Sequence, residues 1–141
     1  MRVRAVHVAA DLPCRLPFAR RCVRAGFPNP AEDWIEGELD LSSYVVRNRT
    51  STYYMRVAGD SMLGAGIHPG DLLVVDRSLE PHDGSVVIAA IDGELTCKRY
   101  FSRGGRPVLV PDNPQYSIIA IQELSDFSIW GVVTTVVHSV R

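Results

Sequence analysis

The chain has 141 residues, 46% hydrophobic and 22% charged, with a formal net charge of −1. That is ordinary globular usage with room for one core and a tail, which excludes a wholly disordered, collagen-like or coiled-coil chain. The near-zero charge also lacks the basic excess of a stand-alone nucleic-acid binder, so no direct specific DNA binding is expected. Fourteen of the fifteen basic residues are Arg, and Lys98 is the single Lys.

In chain order, residues 1–25 form a cationic arm, with six Arg against Asp11 and a net of +5. Residues 26–141 carry nine basic and fifteen acidic groups, a net of −6. A solvated basic tail and an arm docked electrostatically on the acidic body both fit this split. The apolar stretch after Met1 is interrupted by His7 and ends at Asp11, too short for a signal-peptide core or a membrane span. Cys14, Cys22 and Cys97 are an odd number without paired spacing, which argues against a disulfide framework or a zinc site and for a reducing cytoplasm.

The first composition break is Ala25-Gly26-Phe27-Pro28-Asn29-Pro30. One Gly and two Pro resist helix formation and hold the chain extended. The residues before it are expected to form little stable structure by themselves. Trp34, Ile35 and Leu39 have helical spacing and predict one short helix or turn within 31–47, its acids Glu32, Asp33, Glu36, Glu38 and Asp40 forming a solvated face.

From residue 51 the pattern is β. Val-, Ile-, Tyr- and Thr-rich runs at 52–57, 71–76, 85–92, 94–101, 107–110 and 127–138 are separated by Gly, Pro and Asp. Asp92-Gly93 between two apolar runs predicts a two-residue hairpin turn of type I′. Short strands at this spacing predict a mainly β, compact and partly closed architecture with an extended N-terminal arm. The domain division expected is an arm, 1–25, and a β-rich body, 26–141.

Two features bear on chemistry. Val57-Ala58-Gly59-Asp60-Ser61-Met62 ends a strand in a turn that presents Ser61 with its hydroxyl exposed and backbone N–H groups turned inward, where they can meet an oxyanion. Alone, this is ordinary turn chemistry. Lys98 follows on the second strand of the hairpin. A serine hydroxyl needs a base to remove its proton, and a lysine serves only when burial lowers its pKa from about 10.4. Arg stays protonated, which gives a reason for a Lys in an Arg-rich chain. A solvent-facing strand lysine is the plainer alternative. His7, His68, His82 and His138 show no metal-like spacing, Asp112-Asn113 reads as a turn, and no phosphate loop, haem motif or metal box is present. Neither a cofactor nor a metal is expected.

Taken together, Gly59-Asp60-Ser61-Met62, Gly66-Ile67, Gly70-Asp71-Leu72-Leu73-Val74-Val75-Asp76 and Gly93-Glu94-Leu95-Thr96-Cys97-Lys98-Arg99 resemble the LexA/UmuD family of self-cleaving serine proteins. Gly26–Asp33 is similar to the segment after that family's cleavage bond, and Trp130-Gly131-Val132-Val133 to its closing strand. The resemblance implies the fold of that family's C-terminal domain. It also implies a serine–lysine dyad of Ser61 and Lys98, an oxyanion hole from the backbone N–H groups of Asp60 and Ser61, and a scissile bond at Ala25-Gly26. It further implies cleavage promoted by a RecA–single-stranded-DNA filament, and a shortened homodimer that joins a UmuC-like Y-family polymerase in translesion synthesis. The sequence departs from the family at Ala25, where Cys is frequent, and at Cys97, where an apolar residue is usual. A repressor of the LexA type requires a DNA-binding domain, for which the 25 residues ahead of the bond are too few. A non-enzymatic polymerase- or clamp-binding module with a vestigial dyad is the other alternative. A signal peptidase uses a similar dyad but needs membrane anchoring.

Overall fold

The structure is a computed structural model that describes residues 2–7, 13–19, 35–121 and 126–141. These fall into two compact units. One holds the first strand and everything from Asn48 to Arg141; the other lies within Ala9–Arg47. The boundary expected at 25/26 lies outside the described residues.

In the smaller unit, β2 (Arg15–Ala19) pairs antiparallel with β3 (Ile35–Asp40), and the helix α1 (Leu41–Val45) follows directly. The helical reading of Ile35 and Leu39 is therefore corrected: both are strand residues, and the helix begins only at Leu41. Pairing with Leu16 and its neighbours selects the extended form of 35–40, a tertiary contact that overrides local spacing. Glu38 and Asp40 accordingly lie on a strand; the hydroxyls of Ser42 and Ser43 donate to Asp40 at the helix start, at 3.0 and 2.8 Å.

The larger unit is one eight-stranded antiparallel sheet. Its strands after β1 (Arg2–His7) are β4 (Thr52–Ala58), β5 (Leu72–Asp76), β6 (Val86–Ile91), β7 (Glu94–Arg103), β8 (Arg106–Val110), β9 (Ile119–Ala120) and β10 (Phe127–Val137). Their order across the sheet is β1-β4-β5-β10-β6-β7-β8-β9, and β1 also approaches β7, so the sheet curls into the partly closed form expected. The backbone of 2–7 thus has a partner, β4, where little structure was expected; a six-residue strand gains order by adding to an existing edge. At the β6–β7 turn Asp92 has φ 49° and Gly93 φ 85°, the two positive values a type I′ hairpin needs.

Alternation along the strands buries both faces. Met55, Val57, Met62, Ile67, Leu73, Val75, Ile88 and Cys97 form one core cluster; Val87, Ala89, Leu109 and Val132 form the other. On β10, Gly131 pairs with Ile88 of β6, and a Cβ there would stand 2.6 Å from Val75 Cγ1 on β5, so a larger residue forces that side chain to shift. Below β5, the buried Asp76 carboxylate accepts from Asn48 at 2.7 Å, Ser51 at 2.8 Å and the Ser78 hydroxyl at 2.7 Å.

Candidate active site

β4 ends at Ala58, and Gly59 takes φ 88°, turning the chain so that Ser61 faces inward. A short 3-10 turn at Leu63–Ala65 follows. Ser61 is 1% exposed, which corrects the expectation of an exposed hydroxyl: it packs beside the fully buried Met62 and points at Lys98. Lys98, on β7, lies directly across the ladder from Val87 and is 5% exposed, so it is not a solvent-facing charge.

Lys98 Nζ stands 3.1 Å from Ser61 Oγ, 3.0 Å from Thr96 Oγ1 and 3.1 Å from the Cys97 carbonyl oxygen. Among the described residues it meets no carboxylate. Burial disfavours the ammonium and holds the Lys98 pKa below the ordinary lysine value. Burial also pushes the Cys97 thiol up to about 12, so Cys97 stays neutral and supplies no counter-ion. A neutral amine has two N–H donors and one lone pair. The carbonyl of Cys97 can only accept; when Thr96 accepts the second N–H, the lone pair is left for the Ser61 hydroxyl proton.

The turn is strapped by the loop after β8, which sequence reading treats only as a turn. Asn113 Nδ2 donates to the Asp60 carbonyl at 2.9 Å, and Gly64 N–H donates to the Asp112 carbonyl at 2.7 Å. Tyr116 donates to the Asp60 carboxylate, a bond that raises the Tyr116 pKa, and Arg99 holds the Asp112 carboxylate at 2.9 Å. Holding the Asp60 carbonyl fixes the plane of the peptide that carries the Ser61 N–H. Among the described residues, the backbone N–H groups of Asp60 and Ser61 have no acceptor. An open cleft of about 390 Å³ lies alongside, lined by Asp60, Leu63, Gly64 and residues 112–115. Ala25 and Gly26 lie outside the described residues, as does Cys22; Cys14 is exposed and unpaired.

The fold also gathers a group that spacing does not reveal. His138 Nδ1 is 2.6 Å from Asp71 Oδ1, His68 Nδ1 is 3.7 Å from Asp71 Oδ2, and the two imidazoles stack with centroids 4.5 Å apart. Burial opposes the charge on Asp71, but the His68 N–H and the His138 ring outweigh it and hold the carboxyl below its usual value.

Residues 17–134 match the family model described as Peptidase S24-like. The chain belongs to the S24-like peptidase family. Among S24-like relatives, Protein ImpA of Salmonella typhimurium is 48% identical over 126 residues, covering 88% of this chain and 83% of that protein. Protein SamA of the same species is 46% identical over 124 residues, covering 88% and 85%. The LexA repressor of Anaeromyxobacter dehalogenans is 38% identical over 124 residues, but the alignment spans 54% of its length. This S24 chain is a UmuD-like, self-cleaving protein of the SOS response, as the blocks from Gly59 to Arg99 imply. Among its described residues no helix is long and apolar enough to cross a membrane.

Proposed function

We propose that Ser61 and Lys98 are the nucleophile and general base with which this S24 peptidase cuts its own Ala25-Gly26 bond. The observation that carries the reading is the 3.1 Å separation of Lys98 Nζ from Ser61 Oγ at a buried lysine without a described carboxylate partner. Neutral Lys98 takes the Ser61 proton as Oγ attacks the Ala25 carbonyl carbon. The tetrahedral oxyanion is met by the N–H groups of Asp60 and Ser61. Lys98, now an ammonium, gives its proton to the departing Gly26 amine, leaving Ala25 as an ester on Ser61. Water, deprotonated by the same lysine, then attacks that ester and frees Oγ.

The chemistry needs no more than these groups and a held substrate, which suits a slow reaction on one tethered bond. The partners proposed are a RecA–single-stranded-DNA filament that promotes cleavage, a second copy in a homodimer, and a UmuC-like Y-family polymerase subunit; the compartment proposed is the cytoplasm. Intact-mass measurement of the full chain with and without a RecA filament tests the reading. A fragment beginning at Gly26, formed faster with the filament and not formed by Ser61→Ala, is expected. An uncut chain under both conditions overturns the enzyme reading in favour of a binding module.

A further inference from the structure

His68 and Asp71 are the first and fourth residues of a tight turn. Pro69 and Gly70 lie between them, Gly70 has φ 89°, and Asp71 N–H donates to the His68 carbonyl at 3.1 Å. Pro at the second position and a positive-φ Gly at the third are what a type II turn requires, so the spacing of the two end residues is rigid. β10 ends at Val137, paired with Leu72, and this register delivers His138 to the same turn. One ligand atom from each of His68, Asp71 and His138 then falls within 4.8 Å of the other two.

We propose that His68, Asp71 and His138 form a binding site for a borderline divalent transition metal ion of the zinc class. Two imidazoles and one carboxylate are a donor set that suits such ions, and three protein ligands leave an open position for water. The burial pattern fits entry from solvent: the Asp71 side chain is 4% exposed, whereas His68 and His138 are 46% and 41% exposed. Asp71 is already oriented, since His68 N–H donates to its Oδ2 at 2.8 Å and leaves other lone pairs free. The ion clamps the residue after β10 to the turn before β5, closing the open end of that ladder. The site uses neither Ser61 nor Lys98.

The test is titration of the EDTA-treated, dialysed full chain with Zn²⁺, read by calorimetry and by thermal midpoint. One ion per chain is expected, with a raised midpoint that excess Mg²⁺ does not reproduce. His68→Gln and His138→Gln are each expected to weaken binding about tenfold or more, and His82→Gln to leave it unchanged. Because a variant can misfold, the wild-type chain is also loaded with Co²⁺. Visible d–d bands without a thiolate charge-transfer band are expected. No stoichiometric binding, binding unaffected by both His variants, or a thiolate band that assigns the ion to Cys14 or Cys22 each overturns the site and leaves a structural ion pair.

Discussion

The Thr96 hydroxyl and Lys98 Nζ are 3.0 Å apart, two residues along the same strand and on the same face of it. In the mechanism proposed above, Thr96 accepts one of the two N–H bonds of a neutral Lys98 and so aims the lone pair at Ser61. Thr96→Val removes that acceptor at a cost of about 1 kcal/mol in positioning, or about five- to tenfold in cleavage rate. Losing an acceptor also disfavours the ammonium, so the rise of rate with pH moves to lower pH. A pH–rate profile by intact mass checks both; a profile moved to higher pH contradicts the positioning role.

Asp76 anchors the base of β5. Burial works against its charge, but donors from Asn48, Ser78 and Ser51 overcome this and bring its pKa from 3.8 to about 2. A carboxyl depressed on folding stabilises the fold above its unfolded value and loses that contribution as pH falls through the folded one. The contribution is about 2 kcal/mol at neutral pH and fades between about pH 4 and pH 2. Urea unfolding at pH 7 is expected to find Asp76→Ala less stable by about 2–3 kcal/mol, because four donor groups from Asn48, Ser51 and Ser78 lose their acceptor. The difference shrinks below pH 3.

Gly64 is where the 112–115 loop touches the Ser61 turn. A Cβ there meets the Asp112 carboxylate and stands 2.9 Å from the Asp112 backbone oxygen, which cannot rotate away. Gly64→Ala is expected to cost about 1–3 kcal/mol in denaturant unfolding. It also slows cleavage, because the loop displaced carries Asn113. An unchanged cleavage rate in a destabilised variant separates the strap from the chemistry.

The charge split of +5 on residues 1–25 and −6 on the remainder predicts a salt-sensitive reaction. Raising ionic strength from about 0.05 to 0.5 M shortens the screening length from roughly 14 to 4 Å. Spontaneous cleavage is expected to slow severalfold. A salt-independent rate shows that the arm's charge plays no part in presenting the bond.

Strand positions from Thr52 onward, the two-residue β9 excepted, are legible because alternation and Gly- or Pro-bearing turns are local signals; Asp92-Gly93 is read to the residue. Ile35–Asp40 is misread because its conformation is set by β2, some twenty residues earlier, and not by its own spacing. Ser61 and Lys98 are picked out by residue type, the lone Lys in an Arg-rich chain, and by family blocks. Their 3.1 Å approach across 37 residues is a product of the sheet order. Asn113 and the His68–Asp71–His138 group are missed for the same reason. His138 reaches Asp71, 67 residues away, only through the β5–β10 register.

If a neutral Lys98 activates Ser61, cleavage depends on pH and on that amine, and the pH dependence in wild type and Lys98→Arg reads both. Intact mass of the purified full chain is followed between about pH 7 and pH 10, a range reaching toward the ordinary lysine pKa of about 10.4. A fragment beginning at Gly26 is expected, its rate rising with pH and levelling below the ordinary lysine value, with no cleavage in Lys98→Arg at any pH. Cleavage of the same bond by Lys98→Arg at a comparable rate contradicts activation by Lys98.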